Sequence, residues 1–210
     1  MTALSKLIPN RVYEKLASDA QIEAAAHALE SHGIQVIIAA NSEEAKAQVF
    51  KLLPEGAEVF TAASRTLDSM AIPAEVNARY DSVRAKMALL DRKTQGREIT
   101  KLSSIPEFMV GSVHAVTEDG QVIIASFGGS QLPGYAAGAG HVIWVVGAQK
   151  IVPTLEDGLK RIREYSYPLE DERLLQSLGV NSAINKLLIV SREVRPGRTT
   201  MIIVKEKLGF

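Results

Sequence analysis

The first third of the chain alternates between two hydrophobic periodicities, which predict its elements. Apolar residues recur at helix spacing after Ser18, a residue suited to cap a helix. Residues 34–40 are almost entirely apolar, the pattern of a strand buried on both faces. A second helix, with Ser42 as its predicted cap, and a short strand at 57–62 repeat the unit. The order helix, strand, helix, strand favours a parallel α/β sheet.

The pattern changes beyond the middle of the chain. Residues 66–104 are predicted to be largely helical, and most of the chain beyond Pro106 is rich in β-forming residues. The β-rich runs are residues 110–117, 121–126, 141–147, 186–191 and 200–205. The Asp119-Gly120 pair predicts a hairpin between the first two runs. We therefore expect one α/β domain over residues 1–210, with a largely parallel sheet flanked by helices and a β-rich C-terminal half with some antiparallel pairing.

Composition excludes several classes of function. The chain has 24 basic and 24 acidic residues and a net charge of +0, so no basic surface for nucleic acid is predicted. It has no cysteine, which excludes disulfides, thiolate metal sites and cysteine nucleophiles. Its four histidines are scattered, so no metal site is expected. No apolar segment approaches the length of a membrane span and no targeting segment is evident, so the expected location is the cytoplasm.

Residues 102–149 contain no lysine or arginine but eight of the fifteen glycines. Glycine lets a ligand approach backbone N–H groups closely, so this stretch is the first candidate for a pocket floor. An anion held there would need main-chain donors or an arginine from elsewhere. The alternative is a set of tight connections within a buried sheet.

Ser64, Arg65 and Thr66 follow a predicted strand and begin a predicted helix. Backbone N–H groups at such a position favour a carboxylate or phosphate, and two hydroxyls and a guanidinium stand beside them. The alternative is that a hydroxyl caps the helix while Arg65 points into solvent.

Three residues of the same basic-free stretch have side chains suited to catalysis. Glu118 could become a nucleophile or general base if an apolar wall raised its pKa, although a Glu-Asp-Gly sequence also suits an exposed hairpin tip. His114 could titrate near neutrality and relay a proton if it faced a pocket, and so could His141. A histidine buried in a core or at a strand edge is the alternative for both.

The segment Gly128-Gly129-Ser130 follows a strand and is similar to a backbone nest for an anion. Arg195 and Arg198 flank a Pro-Gly turn, for which a solvated hairpin is the simpler interpretation. The glycines at 134–140 do not match GxGxxG, and neither a GxxxxGK[ST] nor a GxSxG motif occurs. Standard dinucleotide, ATP and serine-hydrolase sites are therefore disfavoured.

Several motifs together resemble the lactate-utilisation (LUD) domain family. The motifs are the run from Gly111 to Ser126, the segment from Gly147 through Lys150 to Asp157, the turn Pro196-Gly197-Arg198, and the final Leu208-Gly209-Phe210. The resemblance implies a NagB/RpiA/CoA-transferase-like fold and a bacterial or archaeal protein linked to the oxidation of lactate or related organic acids. Longer members bind iron–sulfur clusters through cysteines, so this chain is similar to the short, cluster-free branch, for which no cofactor is expected.

The resemblance leads to three hypotheses. In the first, the protein binds a small organic acid or acyl metabolite, or an iron–sulfur partner subunit of a lactate-oxidising system, with a homodimer left open. In the second, Glu118 is the nucleophile of an acyl- or CoA-transfer enzyme, placed like the glutamate of related CoA transferases. In the third, the protein is a non-catalytic structural subunit. The predicted site has Glu118 and His114 as catalytic residues and Ser64, Arg65, Thr66, Gly111, Gly128, Gly129, Ser130 and Arg198 as ligand-binding residues.

Overall fold

The computed structural model describes residues 7–210, which form two β-sheets with helices packed around them. The α-helices are Asp19–Ser31 (α1), Ser42–Leu52 (α2), Arg65–Ser69 (α3), Ile72–Arg79 (α4), Val83–Ala88 (α5), Gly96–Ser104 (α6), Leu155–Arg161 (α7) and Tyr167–Leu178 (α8). The strands are Gln35–Ala39 (β1), Glu58–Thr61 (β2), Asp81–Ser82 (β3), Phe108–Gly111 (β4), Ala115–Thr117 (β5), Val122–Ser126 (β6), His141–Gly147 (β7), Ile151–Val152 (β8), Lys186–Val190 (β9) and Thr199–Val204 (β10). Short 3₁₀ turns cover Arg11–Glu14 and Ala148–Lys150, and π-helical turns cover Gly134–Gly138 and Ile162–Ser166.

The larger sheet has six parallel strands in the order β1-β10-β7-β4-β2-β3. This arrangement confirms the predicted α/β class and the largely parallel sheet. One detail was wrong: β1 is not buried on both faces, because it lies at the edge and pairs with β10 alone, which leaves Ile38 39% exposed. An apolar run indicates a strand but does not give its place in the sheet.

Alternate side chains of the large sheet enter two separate cores. On β7, Val142, Trp144 and Val146 face the core that contains α1, while Ile143 and Val145 face the core that contains α2, α3 and α4. Successive side chains of a strand point to opposite faces, so a strand covered by helices on both sides must be apolar throughout. Helix α1 itself is capped as predicted, since Ser18 and Gln21 form a capping box. For α2 the cap is Asn41 rather than Ser42.

The smaller sheet has four strands in the order β8-β5-β6-β9 and mixes parallel and antiparallel pairs. Strands β5 and β6 form the predicted hairpin, and Gly120 at its turn has the positive φ of 83° that the Asp-Gly pair predicts. One face of this sheet joins the α1 core through Val116 and Ile124. The opposite face packs Ile123 and Val152 against Leu155, Leu159 and Ile162, at and just beyond α7.

Strand pairing differs from the expectation in two places. Residues 110–117 end β4 in the large sheet and then form β5 in the small one. The runs around the Arg195–Arg198 turn do not form a hairpin, because β9 pairs with β6 whereas β10 lies between β1 and β7. Periodicity identified these strands correctly, but which strands pair with each other depends on contacts between residues that are distant in sequence.

Candidate functional site

Two chain segments cross from the large sheet to the small sheet side by side. Strands β4 and β7 are parallel neighbours in the large sheet, and β5 and β8 are parallel neighbours in the small one. The chain passes from β4 to β5 through residues 112–114, and from β7 to β8 through the turn Ala148–Lys150. Because the flanking strands are neighbours at both ends, the crossings run alongside each other and bring Ser112 next to Lys150.

A cavity of about 300 Å³ opens beside these crossings. Its wall combines both crossings with the segment after β2, the glycine-rich segment after β6 and the π-helical region before α8. Six of the predicted site residues line it: Ser64, Arg65, Thr66, His114, Gly128 and Ser130. The basic-free stretch and the segment that begins α3 therefore border one cavity. Whether these six residues bind a ligand stays a prediction.

Lys150 is the most unusual residue of the wall. Its side chain is almost fully buried, and Nζ donates to Thr66 Oγ1 at 2.9 Å, Ser112 Oγ at 3.1 Å and the carbonyl oxygen of Val113 at 3.1 Å. None of these partners carries a charge. Burial, together with the nearby charge of Arg161, holds the pKa of Lys150 well below its ordinary value.

Arg161, at the end of α7, adds a second buried cation behind the wall. Its Nε donates to the carbonyl oxygen of Gln149 at 3.3 Å, and its Nη1 donates to Ser166 Oγ at 3.0 Å and to the carbonyl oxygen of His114. Within residues 7–210, Nη2 is buried without a hydrogen-bond partner. Burial lowers the pKa of Arg161 to about 10, so the guanidinium remains charged at neutral pH. Because Arg161 donates to the carbonyl oxygens of both Gln149 and His114, it links the β7–β8 crossing to the β4–β5 crossing.

His114 presents a neutral ring to the cavity. Its Nδ1 accepts a hydrogen bond from the backbone N–H of Ala125 at 3.1 Å, so in the neutral ring the proton is on Nε2. Burial, followed by the charges of Lys150 and Arg161, lowers the pKa of His114 to about 3. The expected titration near neutrality is therefore not supported, and His114 is suited to donate a hydrogen bond rather than to relay a proton.

The Ser64–Thr66 segment contributes in a different way from that predicted. Helix α3 has only five residues, so its dipole is a weak source of positive potential. Ser64 caps the helix by accepting from the N–H of Leu67, while Thr66 is buried and donates to the carbonyl oxygen of Leu208 at 3.1 Å. Arg65 remains half exposed at the cavity mouth and pairs with Asp68 at 3.3 Å. The charge that favours an anion comes from Lys150 and Arg161 instead.

The acidic residues of the wall lie at its mouth and are already paired. Among residues 7–210, only Asp68 and Glu170 border the cavity, and each forms an ion pair with an arginine that also lines it, Arg65 and Arg173 respectively. The interior of the wall is thus lined with neutral hydroxyls, backbone groups, one imidazole and the Lys150 amine. An anion that entered would meet none of these carboxylates at the bottom.

The glycine-rich segment supplies less of a backbone nest than its sequence indicates. Gly128 and Ser130 line the cavity, but the N–H of Gly129 donates to Ser126 Oγ at 2.8 Å. The carbonyl oxygen of Gly128 accepts from Lys186 Nζ at 2.8 Å. Gly129 has a φ of 89°, so the turn requires a glycine at this position. Its N–H group is not free to stabilise an oxyanion.

Glu118 does not border the cavity. It lies in the turn between β5 and β6, where Oε1 accepts from Gln21 Nε2 at 2.7 Å. The glycine-rich segment begins at the other end of β6, and five residues of strand separate the two by roughly 15 Å. The structure therefore does not place Glu118 beside Gly128 and Gly129 in one site.

Gly111 and Arg198 also lie outside the cavity and have structural contacts. A Cβ atom on Gly111 would lie 2.8 Å from Cζ of Tyr135, so the glycine makes room for that ring. Arg198 is buried, pairs with Glu193 at 2.6 Å and donates to the carbonyl oxygens of Gly134, Tyr135 and Ala139. It is neither the solvated turn residue nor the ligand-binding residue that was expected. His141 stacks on Phe108 away from the cavity.

Sequence reasoning missed the two buried cations, Lys150 and Arg161. One signal was present, because Lys150 is the first basic residue after the basic-free stretch and follows the end of an apolar strand by three residues. Within residues 7–210, no group of three or more His, Cys, Asp or Glu side chains is arranged to hold a metal ion. Over the same residues, no helix has the length and apolar character needed to cross a bilayer.

Comparison with known protein families identifies the family of this chain. A family model described as the LUD domain matches residues 22–209. The chain belongs to the LUD domain family. This confirms the resemblance inferred from the sequence motifs, and it supports an association of this LUD domain with lactate utilisation. No protein with a curated description matches the chain.

A solved structure shares the fold of this LUD domain. The crystal structure of a DUF162 family protein from Deinococcus radiodurans superimposes with a TM-score of 0.53, over 90% of this chain and 99% of that chain. Sequence identity is 11%, so the likeness extends to the fold alone. Residue roles must therefore be argued from the cavity of this chain.

Proposed function

We propose that this LUD-domain protein binds a small metabolite with a carboxylate group, a 2-hydroxy or 2-oxo acid, in the cavity between its two sheets. The observation that carries the proposal is the pair of buried basic groups, Lys150 and Arg161, which have no carboxylate partner among the described residues. Their pKa values are lowered chiefly by burial, and no carboxylate of residues 7–210 offsets that effect for either group. A buried cation without a counter-charge is costly, so an anion that enters the cavity is favoured.

The size of the cavity favours a small acid. A volume of about 300 Å³ is at the lower end of the range of about 300 to 1,000 Å³ that is common for small-molecule sites. A whole coenzyme A molecule would not be enclosed in it. The polar groups on the wall include the Nε2–H of His114 and the hydroxyl of Ser64, both suited to hydrogen-bond the oxygens of a hydroxy or oxo acid.

Ligand binding should be coupled to proton uptake. An anion near Lys150 favours the charged amine, so the lowered pKa of Lys150 should rise when the acid binds. A proton would then be taken from the buffer for each acid bound, in proportion to the fraction of free amine in the empty protein. This coupling distinguishes binding at Lys150 from binding at the exposed arginines.

Isothermal titration calorimetry tests the proposal. We expect L-lactate or pyruvate to bind, with an enthalpy that depends on the ionisation enthalpy of the buffer. Lys150→Met should weaken binding by about 10- to 100-fold, the loss of one charge-assisted hydrogen bond. Lys51→Met is the matched control, since Lys51 is exposed on α2 and outside the cavity. Absence of heat with every hydroxy and oxo acid, or equal binding by Lys150→Met and wild type, would refute the proposal.

Glu118 lies at the far end of β6 from the glycine-rich segment, so the geometry does not favour the acyl-transfer hypothesis. Pairing with a second copy of the chain or with an iron–sulfur subunit stays a prediction. Affinity purification under the same conditions as the calorimetry would reveal such a partner.

A further inference from the structure

We infer that Lys150 is a nucleophilic amine that forms an imine with the carbonyl carbon of a 2-oxo acid bound in the cavity. The inference rests on the proposed function, since the acid must first bind beside the amine. It goes further by assigning a covalent role to a lysine and by restricting the reactive ligands to those with a carbonyl group.

The hydrogen bonds around Nζ are compatible with a neutral amine. Thr66 uses its own hydroxyl proton to donate to the carbonyl oxygen of Leu208, so it can only accept from Lys150. The carbonyl oxygen of Val113 is likewise an acceptor. These two groups use two N–H bonds of a free amine, and the third partner, the hydroxyl of Ser112, can donate to the nitrogen lone pair.

Ser112 can also release that lone pair. Its Oγ lies 3.3 Å from Thr66 Oγ1 and 3.5 Å from the carbonyl oxygen of Val113, so its hydroxyl proton has two other acceptors within reach. Rotation of this hydroxyl would break its hydrogen bond to the nitrogen lone pair, and a change of the Ser112 side-chain rotamer would move Oγ out of the path of attack while both N–H bonds stay in place. The amine is therefore fixed in position but not blocked.

The surroundings keep the amine in its reactive form. Lys150 is almost fully buried, and the neighbouring charge is Arg161 rather than a carboxylate. A lysine becomes nucleophilic at neutral pH when it is desolvated and close to another cation. His114 supplies a neutral N–H donor on the same wall that can polarise a carbonyl oxygen, and Arg65 at the mouth offers a guanidinium for the carboxylate.

The chemistry balances without an oxidant or reductant. The Nζ lone pair attacks the carbonyl carbon and forms the N–C bond, while the C=O π electrons move to the oxygen, which takes a proton. Proton loss from nitrogen gives a carbinolamine. Protonation of its hydroxyl and departure of water then give the protonated imine. The sum is amine plus oxo acid plus one proton, taken from the buffer, to protonated imine plus water, and the cationic imine places a positive charge beside the carboxylate.

Reductive trapping tests the inference on the intact chain. Pyruvate and sodium cyanoborohydride are added at pH 7, and hydride addition to the imine carbon fixes the bond as a secondary amine. Peptide mass mapping should locate the adduct at Lys150. It should form at least about tenfold faster there than at exposed lysines, since each unit of lowered pKa raises the fraction of free amine about tenfold. L-Lactate, which has no carbonyl group, should give no adduct.

Two variants complete the design. Lys51→Met should retain the Lys150 adduct, and Lys150→Arg should retain the positive charge and bind lactate while forming no adduct. If pyruvate binds by calorimetry but Lys150 is labelled no faster than exposed lysines, the inference is overturned and the proposed function stands. If neither acid binds, both fall. The mapping is done on the wild type, so the outcome does not depend on a variant folding.

Discussion

His114 gives a quantitative test of the electrostatics of the cavity. Burial and two nearby cations lower the pKa of its ring to about 3, while the same side chain in the unfolded chain titrates near its ordinary value of about 6.5. Replacing it by asparagine removes the titration but leaves an amide oxygen near the position of Nδ1, where the N–H of Ala125 needs an acceptor. His114→Asn should therefore change the pH dependence of stability more than its value at neutral pH.

The sign and size come from proton linkage. Because the pKa of His114 is lower in the folded state, its contribution to stability is fully present above about pH 6.5 and is lost as the pH falls towards 3. The loss is about 1.4 kcal/mol per pH unit where only the unfolded state is protonated. The ring is partly exposed, so we expect wild type to lose about 2 kcal/mol more than His114→Asn between pH 6 and pH 4.

The measurement is urea unfolding of both proteins at half-unit steps from pH 7 to pH 4, with the free energy extrapolated to water. The lowered pKa of Lys150 gives a slope of the same sign in both proteins, so the difference between the curves isolates His114. Parallel curves would refute the reasoning. An NMR titration gives an independent measurement, since the His114 ring signals should stay constant from pH 8 to pH 5.

Three further predictions concern contacts outside the cavity. Gly111→Ala should destabilise the fold by about 1–3 kcal/mol in urea unfolding, because the new Cβ overlaps the Tyr135 ring, and Tyr135→Phe in the same chain should restore part of the loss. Arg198→Met should cost about 3–5 kcal/mol, since it leaves the carboxylate of Glu193 buried without its partner; an unchanged Tm would contradict this. Glu118→Gln should leave lactate binding by calorimetry unchanged, whereas a loss of binding would return Glu118 to the site.

The sequence predicts those elements whose signals are local. The cap at Ser18, the apolar strand at His141–Gly147 and the Asp-Gly turn at Gly120 are all confirmed, because each depends on residues within one helix, strand or turn. The α/β class follows from the alternation of these elements.

The sequence does not predict which strands pair. The run at 110–117 has the pattern of one strand, yet the chain passes to the other sheet after Gly111. Strands β9 and β10 belong to different sheets, although they are close in sequence. Pairing is decided by burial against distant elements, which a period-two or fully apolar pattern does not encode. The cavity lies beside the crossings from β4 to β5 and from β7 to β8, which are neighbours in space. Its position therefore depends on contacts that local sequence patterns do not show.

The lowered pKa of Lys150 depends on the fold, which buries its side chain away from carboxylates. In sequence it is one basic residue near Gln149 and Ile151, and only the basic-free stretch before it distinguishes it from exposed lysines. The parallel crossings exclude water from Nζ and bring hydroxyls and a carbonyl to it, while the acids that border the cavity stay at the mouth with their arginines. The lowered pKa of Lys150 therefore reflects burial without a compensating negative charge. This property can be recognised only when the spatial neighbours of Lys150 are known.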